Sequence, residues 1–239
     1  MDIPIEEFGV SLREIAPNLD DEQVEKLAAY TRLFIDECQR QNISKYRTPQ
    51  EVLDFHLLDS LEPLRHGAFE GDERCIDIGT GGGCPGIPLK IAQPGLSMAL
   101  LEARERRCDF LRRCVAELDL ERTAVLRGRA EVLAHNPLYR ASFDIALARS
   151  VASMRQLVEF SVPFLAPDGE LWAFRGHNWQ KELDNAQNAL ETLHATVADC
   201  IEYQHPKRDT PHAFVVVTNA KPCPDKYPRS PNHVKKRPL

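Results

Sequence analysis

An α/β fold, a mostly parallel sheet preceded by a helical appendage, is predicted by three features of this 239-residue chain. Apolar residues in the first seventy positions recur at three- and four-residue spacing. From Arg74 onward, short apolar runs alternate with longer amphipathic ones, the order of successive β-α units. A glycine-rich segment, Gly79 to Gly86, follows the first of those runs, where such folds approach a ligand with bare backbone.

Taken in order, Leu27, Tyr30, Thr31, Phe34, Ile35 and Cys38 form one apolar stripe with acids opposite, which predicts a helix with a single buried face. A second helix is expected over 51–64, because Thr48 suits an N-cap and Pro49 a first turn. It carries His56, Leu57, Leu58, Asp59 and Ser60. Strands are predicted at 75–78, 97–101, 123–126, 143–148 and 170–174, with helices at 87–92, 106–118, 154–164 and 177–193 between and after them. Two further runs, 196–203 and 213–219, leave no room for another crossover, so the sheet should end in antiparallel pairing. The chain therefore divides into a helical appendage over 1–73, an α/β domain over 74–220 and a basic, proline-rich tail over 221–239. Pro222, Pro224, Pro228, Pro231 and Pro238 predict a tail that is extended or mobile and not helical.

Composition narrows the class. No apolar run approaches the eighteen residues of a membrane span, and Met1 to Glu7 carry acids where a secretory signal carries bases, so a cytoplasmic protein is expected. Seven dispersed cysteines without a C-x-x-C pair predict reduced thiols and no metal. A monomer is expected. The net charge of −6 is unevenly distributed: residues 1–73 hold 17 acids and 7 bases, whereas residues 74–239 hold 19 acids and 23 bases. Six of those bases, against Asp225 alone, lie in the tail, which permits an RNA-facing side there through Arg229, Lys235, Lys236 and Arg237. Charge alone does not decide the function.

The chemistry concentrates in Asp77-Ile78-Gly79-Thr80-Gly81-Gly82-Gly83-Cys84-Pro85-Gly86. Gly81, Gly83 and Gly86 satisfy G-x-G-x-x-G, so the loop alone admits both a nicotinamide-dependent oxidoreductase and a methyltransferase. Asp77 separates them. A carboxylate ending the strand repels a pyrophosphate and attracts an ammonium, such as that of the methionine part of S-adenosylmethionine. Gly79 and Gly81 are then the close-approach positions. Twenty-three residues after Gly79, Glu102 ends the second strand at the interval where an acid reaches ribose hydroxyls.

These residues resemble the methyltransferase G family of the small ribosomal subunit, also called glucose-inhibited division protein B. The likeness extends from about Asn42 to the C-terminus. It rests on Asn42-Ile43-Ser44 (family N-L-T), His56-Leu57-Leu58-Asp59-Ser60 (H-I-L-D-S) and the D-x-G-T-G-x-G-x-P-G-I-P loop from Asp77 to Pro88. Gly128-Arg129-Ala130-Glu131 is similar to the family's G-R-A-E element. The resemblance implies a class I S-adenosylmethionine-dependent methyltransferase, Rossmann-like, acting on N7 of a guanine in 16S ribosomal RNA, with the RNA or the small subunit as partner. It also implies that Gly79, Cys84, Ala130, Glu131 and Arg149 hold the methyl donor. Two departures stand out. Arg175-Gly176 occupies the place of lysine-glycine, leaving Arg175 a candidate phosphate contact, and Ser150 replaces the usual alanine after Arg149. Guanine N7 presents an in-plane lone pair, so no proton need be removed and no catalytic acid or base is expected. Positioning would carry the reaction, with Arg149 an orienter that must leave N7 free.

Overall fold

Seven strands form one sheet in the order β3-β2-β1-β4-β5-β7-β6 in the computed structural model, which describes residues 3–205, 207–219 and 221–239. They are β1 (Arg74–Ile78), β2 (Ser97–Glu102), β3 (Thr123–Arg127), β4 (Phe143–Arg149), β5 (Leu165–Arg175), β6 (Ala195–Tyr203) and β7 (His212–Asn219). β1 to β5 run parallel; β7 inserts antiparallel between β5 and β6. The sequence places every strand within a few residues at its ends, except that β5 begins five residues earlier than expected.

Eleven α-helical segments surround the sheet among the described residues. The first four, α1 (Ile5–Ile15), α2 (Asp21–Arg40), α3 (Pro49–Val52) and α4 (Leu58–Leu61), precede β1. Next come α5 (Gly86–Ala92), α6 (Glu105–Glu117), α7 (Ala130–Leu133) and α8 (Met154–Ser161), one after each of β1 to β4. The last are α9 (Trp179–Asp184), α10 (Gln187–Thr192) and α11 (Pro231–Lys236).

Both faces of the sheet are covered, so its central strands are mainly apolar, with Asp77 in β1 and Asp144 in β4 among the exceptions. Because side chains alternate along β1, Cys75 packs with Leu27, Phe34, Leu61 and Phe110 of the N-terminal helices and α6, while Ile76 and Ile78 pack with Leu157, Leu190 and Val234 on the opposite face. The N-terminal helices thus share a core with one sheet face. Polar contacts reinforce that docking. Asp20 and Gln23 form a capping box at the start of α2, and Gln23 Nε2 also donates to the carbonyls of Ile91 and Ala92 at the end of α5. Glu37 of α2 accepts from Arg113 of α6 at 2.7 Å.

Three expectations are corrected. The helix expected over 177–193 is two, α9 and α10: the break at Asn185 and Ala186 turns Ala189 and Leu190 onto the core, whereas α9 only half-buries Trp179 and Leu183 against it. The helix expected over 51–64 is helical over 49–66 but changes pitch, with a π turn at Leu53–Leu57 and a 3-10 turn at Glu62–His66. The tail is neither wholly extended nor loose, since Pro231–Lys236 is helical. Pro231 stands in the first turn after Ser230, where a missing N–H removes no helical bond, and no proline follows until Pro238. The Arg140 guanidinium donates to the carbonyls of Cys223, Pro224 and Tyr227, and Arg155 donates to those of Pro238 and Leu239.

Candidate functional site at the carboxyl ends of the parallel strands

The strand order reverses between β1 and β4, and a crevice opens beyond their carboxyl ends, where doubly wound sheets bind ligands. The loop after β1 forms its floor. Gly79 has φ +68°, and a Cβ there would come within 3.1 Å of the Val151 side chain. Gly81 has φ +61°, equally unsuited to a side chain. Asp77 lies beneath this loop, fully buried. Its Oδ2 accepts from the Thr80 hydroxyl at 2.6 Å and from the Gly86 N–H at 2.8 Å, and its Oδ1 has no partner. Burial pushes its carboxyl up to about 6, although both bonds pull the other way. Asp77 therefore shapes the loop from below; it lines neither of the clefts described next.

Two clefts meet at Gly79. The first, about 720 Å³, is lined by Gly79, Leu101, Glu102, Ala130, Glu131 and Phe160 among others, and by residues of α11. Glu102 is held at its rim: Oε1 accepts from the Arg104 N–H at 2.9 Å, and Oε2 lies 3.5 Å from Arg107. The second, about 440 Å³, runs over Gly79 to Gly82 and Cys84 to Arg149, Arg175 and Tyr203. Its outer wall includes Tyr46, stacked on Phe55 at 4.4 Å, and Arg208 above the Phe55 ring. The loop also touches the N-terminal helices. Tyr30 of α2 donates its hydroxyl hydrogen to the Gly82 carbonyl at 2.6 Å and lies 3.1 Å from Cys84 Sγ. Burial pushes the Cys84 thiol up, so it stays protonated and serves as wall.

Arg149 ends β4 and points into the second cleft, gripped by residues of the His56 to Ser60 segment. Its Nη1 donates to Asp59 Oδ2 at 2.9 Å and to the His56 carbonyl at 3.4 Å; its Nη2 donates to His56 Nδ1 at 2.8 Å. A guanidinium has only donors, so Nδ1 must accept, the ring proton sits on Nε2, and Nε2 donates to Ser44 Oγ at 2.8 Å. Burial, seconded by Arg149, lowers the His56 pKa to about 3 and keeps the ring neutral. Asp59 Oδ1 accepts from the Tyr203 hydroxyl at 2.8 Å. Burial works to raise the Asp59 carboxyl, but Arg149 and Tyr203 outweigh it and hold the carboxyl below its ordinary value. His56, in the π turn, and Asp59, in α4, are three positions apart on one helical face and so reach the same guanidinium. Ser150, at φ +57°, turns the chain out of β4 toward Val151, which packs on Gly79.

The crevice thus gathers Gly79, Gly81, Cys84, Glu102, Ala130, Glu131 and Arg149, with Asp77 behind the loop. The candidates for RNA contact are placed differently. Arg175 is buried in the second cleft, its Nη1 donating to the Ala152 carbonyl at 2.7 Å and to Glu182 at 3.2 Å. Arg229 does not face outward: its fork is engaged by Glu159, a fully buried carboxylate, at 2.7 and 2.6 Å. Lys235 borders the first cleft, and Lys236 and Arg237 are exposed. Sequence reasoning noted the helix carrying Phe55, His56 and Asp59 without pairing it to Arg149, and it did not place Tyr46, Tyr203 or Arg208 at the crevice.

Comparison with known proteins shows the family. The family model for rRNA small subunit methyltransferase G matches residues 23–210. Ribosomal RNA small subunit methyltransferase G of Carboxydothermus hydrogenoformans is 37% identical over 233 residues, 98% of this chain and 96% of the relative. Its counterpart in Thermoanaerobacter pseudethanolicus is 35% identical over 216 residues, 90% of each chain. Among solved structures, M. jannaschii TYW2 in complex with AdoMet superposes with a TM-score of 0.52 at 13% identity, over 66% of this chain and 74% of that one. A mutant of MtNAS gives 0.55 at 17% identity, over 92% and 86%. These two likenesses are of fold.

Proposed function

Because the chain belongs to the rRNA small subunit methyltransferase G family, we propose that it transfers the methyl group of S-adenosylmethionine to N7 of a guanine in 16S ribosomal RNA. It is a methyltransferase of the class I fold, and S-adenosylmethionine is its methyl donor. The observation that carries the reading is the meeting of two clefts at Gly79, one suited to a nucleoside and the other to a charged amino-acid end and a base.

The residues present fit the donor. Gly79 gives bare backbone at the junction, and the Glu102 carboxylate on the cleft rim matches a ribose diol. Leu101, Ala130 and Phe160 offer an apolar slot for adenine. Three of the five N–H donors of Arg149 are engaged by His56 and Asp59, which leaves two for the donor's carboxylate. When bound, the donor supplies a methyl carbon made electrophilic by its sulfonium. The work of the chain is to bind and align. Tyr46, half-buried on the cleft wall, supplies a ring face for an unstacked base, a contact worth about 1–3 kcal/mol per base, while Phe55 backs it by stacking between Tyr46 and His205. Arg175 and Arg208 lie beside them to meet O6 or phosphate without occupying N7. Lys236 and Arg237 remain candidates for outer phosphate contacts. We read the protein as a cytoplasmic monomer; no helix among the described residues is long and apolar enough to cross a membrane.

Calorimetric titration of the protein with S-adenosylmethionine and with NAD tests the donor assignment. Saturable binding of the first and none of the second is expected. The reverse result would refute it, as would full S-adenosylmethionine affinity in Gly81→Val, whose side chain the loop's positive φ cannot take without rearrangement.

A further inference from the structure

We infer that the C-terminal segment 229–239 is the adenosine-side wall of the donor cleft, and that Asn232 there contacts the adenine edge. The inference rests on the donor reading above. Glu102 marks the ribose position, so adenine extends from it toward the end of β3, where Gly128, Ala130 and Glu131 stand. Facing them across the same cleft are Ser230, Pro231, Asn232 and Lys235. The family match ends at residue 210, so this wall comes from a segment beyond it.

The wall is anchored at several separate points. Arg229 donates to both oxygens of Glu159, and its N–H donates to Oε1 at 3.0 Å. Val234, 1% exposed, packs in one cluster with Ala130 and Phe160, which line the slot. His135, just past α7, donates from Nε2 to the Pro228 carbonyl at 2.7 Å, tying the tail to the Ala130 side. Gln156, itself a cleft residue, donates to the Val234 carbonyl. A tail meant only to trail toward RNA phosphates has no use for a buried carboxylate dedicated to its arginine. A wall whose position sets the width of a nucleoside slot does. Asn232 is exposed, borders the cleft, and carries an amide with both a donor and an acceptor, the pair that matches the amino group and ring nitrogen of an adenine edge.

The test is titration of wild type, Asn232→Ala and Glu159→Gln with S-adenosylhomocysteine, alongside trypsin cleavage after Lys235 and Lys236 with and without that ligand. Asn232→Ala should melt at the wild-type temperature without ligand yet bind about threefold to tenfold more weakly, the loss of one hydrogen bond. Glu159→Gln should bind more weakly still, and S-adenosylhomocysteine should slow tail cleavage of wild type. Wild-type affinity in Asn232→Ala, together with cleavage indifferent to ligand, would overturn the inference while leaving the donor reading intact. Failure of wild type to bind S-adenosylhomocysteine at all would overturn both.

Discussion

Asp77, fully buried, and Arg149, half-buried, are charges at strand ends, and they are held in opposite ways. Asp77 has two donors on one oxygen and none on the other, and its carboxyl is raised to about 6. A folded-state value above the ordinary 3.8 means that the associated stability is present below pH 3.8 and lost as pH rises through 6. Asp77→Asn keeps an acceptor for Thr80 and Gly86 while removing the buried charge. Its melting temperature should therefore exceed wild type at pH 8, by about 2–4 °C per kcal/mol for a chain of this size, with the gap closing toward pH 4. A lower midpoint at pH 8 would mean that the charge stabilises the loop. The Arg149 charge is paired with Asp59 instead, so its truncation leaves the buried Asp59 carboxylate with the Tyr203 hydroxyl as its remaining hydrogen-bond donor. Arg149→Ala should cost about 3–5 kcal/mol in urea unfolding, besides weakening donor binding. A stable variant with weakened donor binding would show that the His56 and Asp59 clamp contributes little to the fold.

At the scale of elements, the parallel strands were legible because strands buried on both faces read as near-continuous apolar runs, Met98 to Leu101 being an unbroken one and Cys75 to Ile78 one interrupted only by Asp77. The glycine-rich loop was legible because positive φ at Gly79, Gly81 and Gly83 calls for glycine. The Asp59 to Tyr203 bond was not, since it joins positions 144 apart and nothing local to either residue signals the other. Nor was the π turn, whose amphipathic pattern is that of any helix. The tail was misread because its prolines were weighed together, although the six residues after Ser230 have a proline only where a helix accepts one. Docking of α2 on the donor loop is likewise long-range, and it can be tested. Tyr30→Phe removes the donor to the Gly82 carbonyl and should destabilise the protein by about 1–3 kcal/mol. Donor affinity should fall with it; an unchanged affinity at reduced stability would separate the appendage from the site.

For the whole molecule, the N-terminal helices, the sheet and the tail all converge on one crevice, and its acid sensitivity follows from the groups they bury there. His56 is depressed to about 3, so the stability it contributes is present above pH 6.5 and lost as pH falls toward 3. Asp59, held below its ordinary value, adds a loss at still lower pH, whereas Asp77 opposes both. Urea unfolding of His56→Gln should show a shallower decline than wild type between pH 6.5 and 4, and an equal decline would assign the acid limb elsewhere. The central claim is methyl transfer to guanine N7, and it is tested most directly on small subunits lacking the modification. The protein and radiolabelled S-adenosylmethionine are added, and the extracted 16S RNA is treated with borohydride and aniline, which cut the chain only at N7-methylated guanine. One new scission at a single guanine, with matching incorporation of label, is expected. Incorporated label without scission would place the methyl group on another atom, and no incorporation would contradict the proposed activity.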